Sequence, residues 1–244
     1  MSPTGATPAP RRPATDLELL ATETQRLLAT VAGLDDAAVA APSACAGWTR
    51  GHVVTHLARN ADALRRLTRT VLTGDRLPMY ASEEARDQEI EQGAPRPAHE
   101  QEDDLRLASE RFAAYAAPLG TEEWLGDEQV TARAGRTLPA RDLPWMRLRE
   151  VVVHHLDLDA GFAYDALPPD LQHDLLVDQA ARLGVGGVAV RLLSDEGDDL
   201  VTTEAGGPTV TLRGPRAALL GWSTRGLTDG VAADGDLPTL PFGG

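Results

Sequence analysis

The sequence of 244 residues predicts an α+β protein, with an N-terminal four-helix bundle followed by a small C-terminal α/β domain. In the first two thirds of the chain, apolar residues recur at the three- and four-residue spacing of helices that bury one face. After about residue 187, short segments rich in β-branched residues alternate with turn residues, which is typical of strands. The predicted domains are residues 15–164 and 165–244, after a flexible tail over residues 1–14.

Four long helices form the predicted bundle. Thr15 followed by Glu18 is a capping-box pattern, so the first helix is expected over residues 16–32. Thr49 is a good N-cap for a second helix over residues 50–72. Glycine and proline divide the rest into a short helix from Ser82, a long helix over residues 98–117, a hairpin over residues 130–138 and a fourth long helix from about residue 140 to 161.

The last third of the chain predicts two helices with three strands between them. One helix starts at a Pro-Pro-Asp sequence and ends near residue 183, and the other starts at Pro215 and ends near residue 224. The strands are expected over residues 188–193, 200–203 and 209–212. The Asp-, Gly- and Pro-rich segment from Asp229 is expected to be mostly irregular.

Composition argues against several classes of function. The net charge is −14 and basic residues are interleaved with acidic ones, whereas a nucleic-acid partner needs a concentrated basic face. No apolar run approaches the roughly 20 residues that span a bilayer, and the N-terminus lacks the apolar region of a signal peptide. A cytoplasmic protein without a membrane partner is therefore expected. Cys45 is the only cysteine, so neither an intramolecular disulfide nor a cysteine-based zinc cluster can form.

Glu150 and His154 suggest a metal site. They lie four residues apart, so on a helix they project from one face, where a carboxylate and an imidazole can share a divalent cation. Valines at positions 151–153 surround the pair, so a buried hydrogen-bonded pair explains it equally well, and a solvated face is the third possibility. His56 lies in the middle of the second predicted helix and can supply a third ligand. His52 lies in the first turn of that helix and is expected to be exposed.

His56, Glu150 and His154 together offer two imidazoles and one carboxylate. This set suits catalytic zinc, which keeps a fourth position open for water or substrate. Asp157 or Asp159, near the end of the same predicted helix, can support a ligand or face solvent.

Arg86 and Arg225 are candidates for carboxylate binding, because a guanidinium group can hold a carboxylate through two parallel hydrogen bonds. The simpler interpretation is a surface arginine among acidic residues. His99 and His173 lie in polar surroundings and are expected at the surface.

Five groups of residues match the pattern of a known family. They are Gly47-Trp48-Thr49-Arg50 with His56 and Asn60; Pro78-Met79-Tyr80 with Ser82, Glu84-Ala85-Arg86 and Glu89-Ile90; Gly135-Arg136-Thr137; Trp145-Met146-Arg147 with Arg149-Glu150-Val151 and His154; and Arg225-Gly226 with Asp229-Gly230-Val231. Through them the chain, over about residues 16–231, resembles the mycothiol-dependent maleylpyruvate isomerase family, which is built on a DinB-like metal-binding four-helix bundle.

The resemblance implies a zinc ion held by His56, Glu150 and His154, and it does not support His52 as a ligand. It also implies an active site in a cleft between the two domains, with Arg86 and Arg225 present there. The implied activity is the cis–trans isomerisation of maleylpyruvate to fumarylpyruvate, with mycothiol as thiol cosubstrate. A mycothiol S-transferase on the same scaffold is the alternative, and a metal-stabilised binding module is a non-enzymatic one.

Overall fold

A computed structural model of the chain describes residues 4–5, 10–183, 188–202, 209–238 and 240. The chain divides into two compact units, Arg11–Ala160 and Met1–Pro10 with Gly161–Gly244. The first is mostly helical and the second contains a sheet, so the predicted α+β class is confirmed. Among the residues described, no helix combines the length and the apolar character that crossing a bilayer requires.

The unit Arg11–Ala160 is organised around four long helices. Its helices are α1 (Pro13–Ala32), α2 (Asp36–Ala40), α3 (Arg50–Thr73), α4 (Glu83–Gly93), α5 (Ala98–Ala116), α6 (Glu123–Asp127) and α7 (Leu143–Asp157). Helices α1 and α3 each pack against both α5 and α7, so the four long helices close a ring around a shared core. The deepest apolar side chains, among them Leu27, Leu57, Leu105 and Leu148, come from all four of these helices and fill that core.

The start of α1 differs from the prediction. The helix begins at Pro13, and its N-cap is Arg12, whose side chain makes no capping hydrogen bond. The capping box predicted at Thr15 and Glu18 is therefore wrong. Proline has a backbone φ suited to the first helical turn and lacks the N–H that would be left unpaired there, so the helix starts before Thr15.

The end of α7 also differs from the prediction. The helix stops at Asp157 instead of continuing to residue 161. Asp159 has a φ of 47° and Gly161 a φ of 90°, and residues in this left-handed region cannot continue a right-handed helix. By contrast, Thr49 caps α3 as predicted. The short helix predicted from Ser82 is α4, which begins one residue later and has Ser82 as its N-cap.

The second unit contains a five-stranded sheet. The strands of the chain are β1 (Thr4–Gly5), β2 (Gln129–Thr131), β3 (Thr137–Pro139), β4 (Ala189–Ser194), β5 (Asp199–Val201), β6 (Thr209–Gly214) and β7 (Ala232–Ala233). The sheet order is β1-β5-β4-β6-β7, in which β4 is parallel to β6 and antiparallel to β5. Helices α8 (Pro169–Arg182) and α9 (Arg216–Arg225) complete the unit, and they pack against each other.

The predictions for the second unit are largely confirmed. Strands β4, β5 and β6 correspond to the three predicted strands, although residue 203, at the end of the second, lies outside the described residues. The segment from Asp229, predicted to be mostly irregular, includes β7. Of the predicted flexible tail, Thr4 and Gly5 pair with β5, while residues 1–3 and 6–9 lie outside the described residues.

Arg147 joins the helices of the bundle. Its side chain is fully buried, and Nη1 donates to the Leu57 carbonyl and to Asn60 Oδ1, both at 2.8 Å. Nη2 lies 3.4 Å from Ser109 Oγ on α5. Burial lowers the pKa of Arg147 to about 10, so the side chain remains a cation at neutral pH. One side chain of α7 therefore holds α3 and α5 in place.

Glu23 is a buried carboxylate on α1. Its side chain is 1% exposed, and within the described part of the chain neither carboxylate oxygen has a hydrogen-bond donor. Arg26 Nη1 lies 3.3 Å from Glu23 Oε1. Burial raises the pKa of Glu23, and the positive charge of Arg26 opposes this only in part. The protonated form is therefore favoured in the folded protein more than in the unfolded chain.

We expect Glu23→Gln to raise the free energy of unfolding at pH 7, by about 1 kcal/mol. Because the pKa of Glu23 is raised in the folded state, ionisation of its carboxyl group destabilises the folded protein as the pH rises. Below the ordinary glutamate pKa of about 4.3, this group is protonated in both the folded and the unfolded protein. The gain should therefore shrink as the pH falls towards 4. Urea unfolding between pH 4 and 8 measures it, with Glu18→Gln, an exposed glutamate of the same helix, as control. An equal gain at every pH would contradict the assignment.

Candidate metal centre

The three predicted ligands come together between α3 and α7. His56 Nε2 lies 3.1 Å from Glu150 Oε2, and His154 Nε2 lies 3.6 Å from the same oxygen. The rings of His56 and His154 meet edge to face with their centroids 4.5 Å apart. One donor atom of each residue lies within 4.8 Å of the others. The structure thus places two imidazoles and a carboxylate around one point.

The arrangement fits a zinc ion. Zinc–nitrogen and zinc–oxygen bonds of about 2.0–2.1 Å put neighbouring donors of a tetrahedral site about 3.3 Å apart. The distances of 3.1 Å and 3.6 Å lie on either side of this value. The shorter one also allows a hydrogen bond between His56 and Glu150, which is the other interpretation of these residues.

The protonation states of the site favour metal binding. Burial, followed by the nearby His154, lowers the pKa of His56 to about 4, so its imidazole is neutral at neutral pH. Burial by itself raises the pKa of Glu150, but the hydrogen bond from His56 and the electrostatic interactions with both histidines outweigh it and lower the pKa below its ordinary range. Neutral imidazole and ionised carboxylate are the forms that coordinate a metal.

Asp157 orients His154. Its fully buried carboxylate Oδ2 lies 2.7 Å from His154 Nδ1, which leaves Nε2 of that ring for Glu150 and the cation. A carboxylate on the far nitrogen of a ligating histidine fixes the ring and increases its basicity. The side chain of Asp159 is 80% exposed, so of the two aspartates considered from the sequence it is Asp157 that touches the site.

A second group of possible ligands overlaps the first. Cys45, His154 and Asp157 also offer donor atoms within 4.8 Å of one another. However, the 2.7 Å between His154 Nδ1 and Asp157 Oδ2 is a hydrogen-bond length, well below the edge of about 3.3 Å in a tetrahedral zinc site. The group of His56, Glu150 and His154 therefore fits zinc better.

His52 does not join the three ligands. Its Nδ1 accepts a hydrogen bond from the Thr49 backbone N–H at 3.1 Å, which closes the capping box of α3. Its Nε2 lies 3.5 Å from Glu91 Oε2, and the side chain is only 17% exposed. The expectation of an exposed His52 is thus wrong, because the ring folds back to satisfy the start of its own helix.

A cavity of about 190 Å³ opens beside His56 and Glu150. Three arginines line it, Arg86, Arg133 and Arg136, so its walls are strongly cationic. The other lining residues are Asn60, Leu64, Met79, Tyr80, Ala132 and Met146. A small anion is the ligand that such a cavity favours.

The three arginines of the cavity differ in their partners. Arg86 Nη2 lies 3.3 Å from His56 Nδ1, and its Nη1 donates to Asp87 at 2.6 Å. Arg133 forms a two-point ion pair with Glu83, at 2.9 Å and 2.5 Å. Arg136 Nη2 lies 3.9 Å from the sulfur of Met146 and makes no ion pair with any carboxylate of the described chain.

The sequence had not singled out Arg133 and Arg136 as site residues. They occupy the turn of the β2–β3 hairpin, where Ala134 and Gly135 adopt positive φ and the Ala132 N–H donates to the Arg136 carbonyl at 2.8 Å. The sequence did contain one indication that Arg136 is a site residue, because it belongs to the Gly135-Arg136-Thr137 group of the family pattern.

Arg225 is the last residue of α9, in the second unit. Its Nη1 donates to the Thr224 carbonyl at 2.7 Å, and the residue lines a cavity of about 260 Å³ with Trp222, Leu237 and Leu240 among others. The function of Arg225 at an active site stays a prediction.

The fold and site define a helical-bundle protein with a candidate two-histidine, one-carboxylate metal centre. The sequence profile of the family described as "Mycothiol maleylpyruvate isomerase N-terminal domain" matches residues 20–159. The chain belongs to this family, as the sequence resemblance predicted.

Two crystal structures are similar to the chain over nearly their whole length. One is a mycothiol-dependent maleylpyruvate isomerase, with a TM-score of 0.85, 27% identity and coverage of 98% of this chain and 99% of that chain. The other is a histidine-to-alanine mutant of a mycothiol-dependent maleylpyruvate isomerase, with a TM-score of 0.86 and the same identity and coverage. A comparison with curated proteins finds no match. The chain therefore has the fold of an isomerase throughout.

We expect Asp157→Asn to weaken zinc binding by about 10–100-fold, because the orienting charge behind His154 is lost. Competition with a chromophoric zinc chelator measures the affinity. Asp159→Asn, in an exposed position two residues further on, is the matched control and should bind zinc as the wild type does. Equal affinities of the two variants would show that Asp157 does not support the site.

Proposed function

We propose that the protein is a zinc- and mycothiol-dependent isomerase that converts maleylpyruvate to fumarylpyruvate. The observation that carries the proposal is the convergence of His56, Glu150 and His154 beside an arginine-lined cavity, in a chain of this family. The ligand set keeps a coordination position open, and the cavity suits a small anionic substrate.

The reaction needs a thiolate and a way to stabilise negative charge. Addition of the thiolate sulfur to an alkene carbon forms a C–S bond and moves the electron pair onto the ketone oxygen as an enolate. Rotation about the resulting single bond follows; return of the electron pair then expels the thiolate and forms the trans alkene. The thiol is regenerated, so nothing is oxidised or reduced. Zinc held by His56, Glu150 and His154 would lower the thiol pKa, so that thiolate is present near neutral pH.

Arg86 is suited to bind a carboxylate of the substrate. A guanidinium group can only donate, so His56 Nδ1 accepts the 3.3 Å contact from Arg86 and His56 Nε2 carries the ring proton. Coordination through Nε2 requires that proton to be on Nδ1, which removes the acceptor. Arg86 then has a donor to offer to a ligand in the cavity that it lines.

Arg136 is suited to bind the second carboxylate of the substrate. It lines the same cavity and lacks a carboxylate partner among the described residues, whereas Arg133 is held by Glu83. A dianion placed between Arg86 and Arg136 would have a cation for each end, and the cations would also stabilise the enolate. Arg225 is proposed as a further active-site arginine on the family resemblance alone.

We expect the zinc-loaded protein to convert maleylpyruvate only when mycothiol is present, and His56→Ala to reduce the rate at least 100-fold, as expected for the loss of a metal ligand. Absorbance of the substrate follows the reaction. His99→Ala, the matched control, removes an exposed histidine outside the site and should retain full activity. If maleylpyruvate is stable with mycothiol but mycothiol is consumed by an electrophile such as monochlorobimane, the protein is an S-transferase and the isomerase proposal fails.

We expect Arg136→Gln to raise the KM for maleylpyruvate by about tenfold or more, since a charge-assisted two-point contact is lost. Zinc affinity should not change, because Arg136 does not contact a ligand residue. Initial rates as a function of substrate concentration give the KM. Arg106→Gln, a partly exposed arginine on α5 with its own acidic partners, is the matched control. An unchanged KM in Arg136→Gln would remove this residue from the substrate site.

A further inference from the structure

The cavity at the candidate metal centre cannot hold both substrates. Its volume is about 190 Å³, whereas sites for drug-sized ligands measure about 300–1,000 Å³. Mycothiol is an N-acetylcysteine joined by an amide to glucosamine, which in turn carries inositol. When its sulfur is beside the zinc ligands and the cavity holds maleylpyruvate, its two rings must lie outside that cavity.

A much larger cleft adjoins this cavity. It has a volume of about 1010 Å³ and lies between the end of α3, the loop over residues 74–82 and the β2–β3 hairpin. Met79, Tyr80, Ala132 and Arg133 line both spaces, so the cleft and the metal cavity share a wall. A ligand long enough to extend past these shared residues can have one end in the cleft and the other in the metal cavity.

Trp124 is an exposed aromatic side chain that lines this cleft. It is 64% exposed, more than any other large apolar residue of the described chain. Its short helix α6 is held in place, because the neighbouring Leu125 is buried and Gly126 packs so closely on Arg141 that a Cβ there would lie 3.2 Å from the Arg141 Cβ. The electron-rich face of an aromatic ring attracts the C–H groups of a sugar ring. An anchored, exposed tryptophan in a cleft is therefore suited to a carbohydrate.

Hydrogen-bonding groups lie in the same cleft. Thr131 and Thr137 are paired directly across β2 and β3, and within the described chain neither hydroxyl makes a hydrogen bond. The carboxylate of Glu128, which also lines the cleft, makes no ion pair with the described residues. Hydroxyl and carboxylate groups beside an aromatic face suit a ligand with many hydroxyl groups and a C–H face.

We propose that this cleft, lined by Trp124, Glu128, Thr131 and Thr137, binds the glucosamine–inositol part of the thiol cosubstrate. One ring lies against Trp124, and its hydroxyl groups pair with Glu128 and the two threonines. The cleft thereby selects a thiol that carries a carbohydrate over a simple thiol such as N-acetylcysteine. The choice of ligand rests on the proposed function.

Two measurements on Trp124→Ala test the proposal in the full-length, zinc-loaded protein. The first compares the KM for mycothiol with the KM for N-acetylcysteine. We expect the substitution to raise the KM for mycothiol about tenfold with an unchanged kcat, and to leave the KM for N-acetylcysteine unaltered. Leu107→Ala, which removes an exposed apolar side chain on α5, is the matched control and should change neither value.

The second measurement is independent of turnover. Calorimetric titration with thiol-free glucosaminyl-inositol should show binding to the wild type and to Leu107→Ala, and at least tenfold weaker binding to Trp124→Ala and to the Thr131→Val/Thr137→Val double variant. Equal binding by all four proteins, or none by the wild type, would overturn the proposal. If no thiol supports turnover but the titration shows this pattern, the isomerase function fails and the cleft assignment stands.

Discussion

The contact of Arg147 with Leu57 and Asn60 sets the alignment of α7 against α3, and the candidate site depends on that alignment. On α7, Glu150 lies about one turn after Arg147. On α3, His56 lies about one turn before Asn60, the residue that Arg147 contacts. The two pairs lie in opposite order, as in antiparallel neighbours. A shift of α7 by one residue would rotate Glu150 by about 100° away from His56. A buried arginine therefore supports the geometry of residues that it does not touch.

The site divides its chemistry among separate parts of one unit. The helices α3 and α7 supply neutral His56 and ionised Glu150, and buried Asp157 orients His154, so these groups are prepared for a cation. The hairpin and α4 supply guanidinium groups for an anionic substrate. Rigid helices thus hold the groups whose positions are most demanding, while the neighbouring loop and hairpin form the spaces where a substrate and a larger thiol would bind.

Local patterns in the sequence predicted much of this structure, because they depend on neighbouring residues. The i, i+4 spacing of Glu150 and His154 and the cap at Thr49 are of this kind. The meeting of His56 with Glu150 depends on how two helices pack, and spacing along the chain contains no such information. The residues offered His56 only as a suitable third donor, and the family resemblance then implied the complete ligand set. The place of Arg136 in the cavity was missed for the same reason, since the hairpin reaches the cavity only through tertiary packing. At the start of α1, Pro13 and the cap pattern that follows it each predict where the helix begins. The helix begins at Pro13.

The central claim is that His56, Glu150 and His154 hold a zinc ion with a position open to a thiol. X-ray absorption spectroscopy at the zinc edge tests it most directly, on the zinc-loaded protein before and after addition of mycothiol. The account predicts only nitrogen and oxygen ligands at about 2.0–2.1 Å at first, and one sulfur at about 2.3 Å once mycothiol is present. A sulfur ligand before mycothiol is added would point to Cys45 and contradict the assigned ligand set. A spectrum that mycothiol leaves unchanged would contradict the open position.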